Sequence, residues 1–334
     1  MQKPAQRIPT DKCAHRARLS TKEQVLYDKM TEAIAGRRRS VRVMGQFTEE
    51  IGAVYSAILY EQPFFFDLNR TVVRKTIRAA STTIDCDFSL SDAEYEEQRE
   101  RIYRELNRLR RLIPKEHNLL QREQDIHNLM QKINLQSDRR DDCPWWTHSI
   151  VGPLLHRKTV CDGAAQLFYL LCLMMGIPCQ VIVSIGGGSA QDSGPHAWNM
   201  VRLGARYAHV DAFWDICKSS LQMGICYDYF NLNDSRIRSD HSWEAVEYPV
   251  CMTEKYSWFV LKKVEAETLE QYAAILRRYR DKGLMRPCVR FRKLPPEAEI
   301  QRIVEDVYFT GRGGSFRIRC NSDQKIVQVA VEYQ

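Results

Sequence analysis

A chain of 334 residues, with 44% hydrophobic and 27% charged side chains, has the make-up of a core-forming globular protein and excludes a fibrous or disordered one. The net charge of +7 is spread over 49 basic and 42 acidic groups, so it permits weak attraction to anionic surfaces but makes no case for nucleic-acid binding. Eleven cysteines, an odd number without CxxC pairs or regular spacing, give no sign of a disulfide framework or a zinc site. They fit a reduced, intracellular protein.

Residues 1–18 contain no apolar run and read as neither signal peptide nor anchor, which places the chain in the cytoplasm unless a leader has been removed. The longest apolar stretch, Leu167 to Met175, is far short of the ~20 residues a membrane helix needs, so no membrane span is expected. In chain order, Leu19 to Ile34 carries apolar positions at helical spacing behind a Ser20-Thr21 cap. Residues 39–45 alternate like a strand, 48–59 read as a helix and 82–91 alternate again. Ser91 and Glu94 open a long charged helix in a capping box, with acidic residues in its first turn, arginines near its end and Pro114 closing it. The basic clusters at 36–43 and 290–293 read as solvated faces. A further helix, 117–133, leads through a polar linker into the segment 145–245, where helix and strand alternate. Beyond 253 come "WFVLKK" as a strand, a helix over 265–283, and then strand, helix, strand, strand, which together make a small α+β unit.

The chemistry concentrates around "KTVCDGAAQLFYLLCLMMGIPC", residues 158–179. Residues 162–175 form a helix with Ala164, Ala165, Phe168, Leu171 and Cys172 on one face and Gly176 at its C-terminal cap. Cys161 therefore stands at a helix start, where unpaired N–H groups and the dipole favour a thiolate and offer donors to an oxyanion. Cys172 and Cys179 read as core filler. Downstream, "HAWNMVRL" and "RYAHVDAF" are two strand-like segments around a turn at 203–206. A turn centred on Leu203–Gly204 sets His196 opposite Asp211 on one face of the hairpin, and a slip of two residues keeps the face. A carboxylate beside an imidazole fixes its tautomer and stabilises its protonated form. With a thiol nearby, Cys161, His196 and Asp211 supply nucleophile, general base and orienter. His209 shares Asp211's face and reads as packing, as do Trp198 and Trp214, while Asn199 is expected to bond locally. The run Gly186 to Gly188 lacks the lysine and following helix of a phosphate loop and reads as a mobile rim to the cleft.

"VCDGAAQLFYLLCLMMGIPC…HAWNMVRLGARYAHVDAFWD" resembles the transglutaminase-like superfamily, in the bacterial, cysteine-protease type of its members. The likeness runs from about 125 to 243, taking in "IHNLM", "THSIVGPLLHRKTVCDG" and "YDYFNLNDSRIRSDHSW". It implies a papain-like α+β core at 117–252, between an N-terminal α/β region at 1–116 and the α+β unit at 253–334. It also implies Cys161 as nucleophile, His196 as general base and acid, and Asp211 as orienter. His148, Asp162 and Trp198 are the further candidates for an oxyanion or cleft position. His241 and Trp243 fall in the family-like "DHSW" segment, without a role derivable from sequence. The chain departs from the family at Ala164, where a tyrosine is usual, and at "DAFWD", where a threonine often precedes the tryptophan. The implied activity is acyl transfer from a peptide or carboxamide through an acyl-enzyme, needing no metal or organic cofactor. Hydrolysis by a cysteine peptidase or amidase is favoured over transglutaminase cross-linking, because no acidic loop suggests a calcium switch. A non-catalytic binding or scaffold module is the reading from another class. The expected partner is a protein or peptide substrate.

Overall fold

The computed structural model describes residues 7–333 apart from 72–73, 134, 138–142, 185–194, 221 and 312, so the rim expected at 186–188 lies outside the described residues. Helices and mainly antiparallel sheets segregate into an α+β architecture. Near the N-terminus, helix Thr21–Ala35 begins in a full capping box between Ser20 and Glu23, which satisfies two of its orphan donors. With helix Glu50–Glu61 it covers a three-stranded sheet in which Ser81–Asp85 lies between Ser40–Met44 and Arg74–Arg78. Leu26, Met30, Val54, Ile58 and Ile84 fill that core. The outer strand Arg74–Arg78 is exposed and basic, which discourages further strand pairing.

The central core is organised by helix Cys161–Met174, buried on nearly every side. That explains an apolar run without an amphipathic stripe. It packs against a four-stranded antiparallel sheet ordered Cys179–Val183, Ala197–Leu203, Arg206–Val210, Phe230–Leu232. Helices Leu119–Lys132 and Asp92–Arg111 close the other sides, the latter through Ile102, Leu106 and Leu109. Gly163 is required here by close approach: a Cβ would stand 2.3 Å from the Thr147 carbonyl oxygen and 2.6 Å from Thr159 Oγ1. Only glycine lets the first turn of the helix lie against the 147–149 segment.

The last unit is a sheet ordered Glu265–Ala266, Cys288–Phe291, Ile326–Tyr333, Gly314–Asn321, with helices Leu269–Asp281 and Glu297–Tyr308 packed on it. One element differs from the sequence reading: "WFVLKK" is not a strand but the helix Trp258–Lys262, ended by Lys263 at φ +53°. The reason is that its two adjacent aromatics serve two cores. Phe259 is buried among the C-terminal residues, whereas Trp258 stacks on Tyr227 with ring centroids 4.8 Å apart. A helical turn aims neighbours about 100° apart and meets both demands. Among the described residues no helix is long and apolar enough to cross a membrane.

Candidate active site

Cys161 occupies the first position of its helix, behind Val160, which makes no side-chain cap bond. The helix start therefore keeps donors facing outward next to a partly exposed thiol. His196 enters from the start of the strand Ala197–Leu203. Its backbone is pinned to Ser184, whose Oγ accepts from His196 N at 2.7 Å and whose N–H donates to the His196 carbonyl at 2.8 Å. The imidazole stacks near Trp198 and contacts Cys161. Its Nε2 lies 2.6 Å from Asp211 Oδ2, leaving Nδ1 for the thiol.

The hairpin reaches this geometry in a register two residues from the one centred on Leu203–Gly204. Leu203 pairs with Arg206 and Asn199 with Val210, so the two-residue turn is Gly204–Ala205, with Gly204 at φ +65°. His196 and Asp211 are thus diagonal neighbours rather than opposite one another. They still meet, because a slip of two preserves the face and because Asp211 leaves the strand. It becomes the N-cap of helix Ala212–Lys218, its Oδ1 accepting from Trp214 N at 2.9 Å. The "DAFWD" segment is consequently helix, not strand, from Ala212 on.

Burial alone would push His196 down, but the Asp211 charge and hydrogen bond, with the Cys161 contact, outweigh it and raise the imidazole to about 9. Asp211 is fully buried, which by itself favours its neutral form. Two histidines reverse that and hold it well below the usual carboxylate range. The second is His241, whose Nε2 is 3.0 Å from the same Oδ2 and whose Nδ1 is 2.8 Å from Asp240 Oδ1.

His148 and Asp162 come together with each other: Nδ1 lies 3.0 Å from both carboxylate oxygens, and Arg70 adds an ion pair to Asp162 at 2.8 Å. Cys143 Sγ sits 3.3 Å from His148 Nε2. This second thiol–imidazole–carboxylate set borders a cavity of about 290 Å³ that Arg70, Trp145, His148 and Gln166 help to line. Trp198 is buried and donates its indole N–H to His209 Nδ1 at 3.1 Å, so it neither walls the cleft nor faces an oxyanion. Asn199 does not bond locally. Its Nδ2 reaches the Ala165 carbonyl at 3.0 Å, tying the sheet to the Cys161 helix. Sequence reasoning missed Cys143, Ser184 and Asp240, because no motif spacing links them to Cys161. A cavity of about 810 Å³ lies at the far end of the helix near Leu173 and Pro178, away from this chemistry.

Among the described residues three clusters bring ligand-type atoms within 4.8 Å of one another: His196, Asp211 and His241; His209, Asp234 and Cys251; Asp215, Cys226 and Asp228. Each contains direct hydrogen bonds between its members, as between His209 and Asp234 at 2.9 Å and between Cys226 and Asp215 at 3.1 Å.

A thiol at a helix start, facing an imidazole anchored by a buried carboxylate on an adjoining antiparallel sheet, defines the class of thiol–histidine–carboxylate proteins. Residues 108–212, which include Cys161, His196 and Asp211, match the family model of the transglutaminase-like superfamily. The kyphoscoliosis peptidase of Homo sapiens is 35% identical over 65 residues, 17% of this chain and 10% of that protein, and the Mus musculus protein matches equally. The chain thus spans only a small part of the relatives it matches. Among solved structures, a TGase is similar at 11% identity and a TM-score of 0.31, covering 55% of this chain and 53% of that one. A proposed cysteine protease from Cytophaga hutchinsonii is similar at 13% identity and a TM-score of 0.28, covering 43% and 63% respectively.

Proposed function

We propose that the protein is a thiol-dependent acyl-transfer enzyme, a cysteine peptidase or amidase acting on protein or peptide substrates, with Cys161, His196 and Asp211 as its catalytic triad. The observation that carries the reading is the anchoring of His196: Asp211 binds one ring nitrogen and the other is left for Cys161. The Cys161 sulfur attacks the substrate carbonyl and its S–C bond forms. The oxyanion is received by N–H groups at the uncapped helix start. As the C–N bond breaks, protonated His196 gives its proton to the leaving amine. Neutral His196 then takes a proton from water, and hydroxide adds to the thioester and releases Cys161. If an amine takes the place of water the same site is a transglutaminase.

Peptide-resolved alkylation by iodoacetamide tests this, run in a Cys143→Ser background so that the thiol beside His148 does not contribute. Cys161 is expected to react at least about tenfold faster than in His196→Ala at neutral pH, because the imidazolium stabilises the thiolate. Equal rates in the two proteins would refute the triad. A turnover assay on a peptide library should lose all signal in Cys161→Ala. Its rate should fall above about pH 9, where His196 gives up the proton the leaving amine needs.

A further inference from the structure

Behind Asp211 the polar contacts continue inward. His241 is buried with a carboxylate on each ring nitrogen: Asp211 Oδ2 at 3.0 Å from Nε2 and Asp240 Oδ1 at 2.8 Å from Nδ1. A neutral imidazole donates from one nitrogen only, so either tautomer would turn a lone pair against an acceptor-only group. Both contacts are satisfied together only when both nitrogens carry hydrogen. Asp240 is itself committed as an acceptor. Its Oδ2 takes the Tyr229 hydroxyl at 2.7 Å and Gln324 Nε2 at 3.1 Å. Gln324 lies in the turn between the last two strands, and its neighbour Asn321 donates to Asp228 at 2.8 Å and to the Tyr229 hydroxyl at 3.3 Å. The indoles of Trp198 and Trp214 flank the His241 ring, with centroids 4.9 and 4.3 Å away, and keep water from it.

We propose that His241 and Asp240 are positioning residues that hold Asp211 for His196, and that the C-terminal unit completes this relay through Gln324. This rests on the triad reading above. The groups facing His241 are Asp211 from the end of the central strand, Asp240 on its own segment, His196 with its ring centroid 5.3 Å away, and Tyr229 across the sheet. His209 lies beyond, against Trp243. The consequence is electrostatic. Asp211 shares one oxygen between two imidazoles, and the buried cation on His241 offsets part of the pull that Asp211 exerts on the His196 proton. That moderation matters because His196 must release a proton as well as hold one during each turnover.

Two measurements test the relay. The first uses the unmodified protein labelled with ¹⁵N-histidine. Ring-nitrogen correlation spectra at about pH 7.5 are expected to show His241 protonated on both nitrogens, with its signals assigned by their loss in His241→Gln. A neutral tautomer at position 241 overturns the proposal. The second is the pH profile of Cys161 alkylation in the Cys143→Ser background, comparing the parent with His241→Gln/Asp240→Asn, which removes both charges and keeps the side-chain volumes. The upper inflection, which reports loss of the His196 proton, should rise by about 0.5 pH unit or more, and turnover should fall about tenfold with KM little changed. An inflection that stays put in a folded variant overturns the proposal. Should the double variant not fold, the spectra decide. Failure of the triad reading looks different, because His196→Ala would then leave the parent profile unaltered.

Discussion

Glu123 sits in the helix that packs beside the Cys161 helix, is fully buried, and has one neutral partner: Asn231 Nδ2 donates to its Oε2 at 3.0 Å. Its Oε1 and the Asn231 Oδ1 have no hydrogen-bond partner. Burial without a nearby cation pushes this carboxyl from 4.5 up to about 8. The sign follows from proton linkage. Between those two values the folded protein keeps a proton that the unfolded chain has released, so stability falls as pH rises. The slope approaches ~1.4 kcal/mol per pH unit, which gives a cost of about 3 kcal/mol at pH 7. Glu123→Gln retains the acceptor for Asn231 and never ionises. In urea unfolding it should exceed wild type by only about 1 kcal/mol near pH 5.5 and by about 4 kcal/mol near pH 7.5. A stability difference that does not grow with pH, or a variant weaker than wild type at the higher pH, would refute the assignment of a neutral buried carboxyl.

Gly163→Ala should destabilise by about 1–3 kcal/mol in urea unfolding, since the new Cβ meets the Thr147 and Ser149 carbonyl oxygens. It should also slow Cys161 alkylation, because the helix start must shift. Arg319→Met leaves Asp228 buried without the pair of bonds at 2.6 and 2.9 Å that now neutralise it, at a cost of about 3–5 kcal/mol near neutral pH. Asp228 is held low in the folded protein, so its stabilisation is present above the ordinary carboxylate range and is lost as pH falls. The gap between wild type and Arg319→Met should therefore narrow in acid, as followed by thermal melts. His196 has the opposite sign: raised to about 9, it adds stability that is full below about 6.5 and fades as pH rises through 9. In the same melts the advantage of wild type over His196→Gln should shrink across that range.

The sequence by itself determined the elements whose cause is local. The capping boxes at Ser20 and Ser91, the apolar run behind Cys161 and the alternation across the 196–211 hairpin are written in short-range spacing, and short-range spacing decides backbone hydrogen bonding and side-chain face. The shared face of His196 and Asp211 was legible there, and it survives the shift of two residues to a Gly204–Ala205 turn, while their contact also needs Asp211 to leave the strand. What only the tertiary structure decided are the contacts that depend on which surfaces pack. The helix at 258–262 exists because Trp258 and Phe259 answer to different cores. Asp211 caps a helix because the chain turns there beneath Tyr229, whose carbonyl accepts the Asp211 N–H at 3.0 Å. His241 reaches Asp211 from 30 positions away, and Gln324 reaches Asp240 from 84. No periodicity encodes such distances, because a buried polar group takes whichever partner the packed core presents to it.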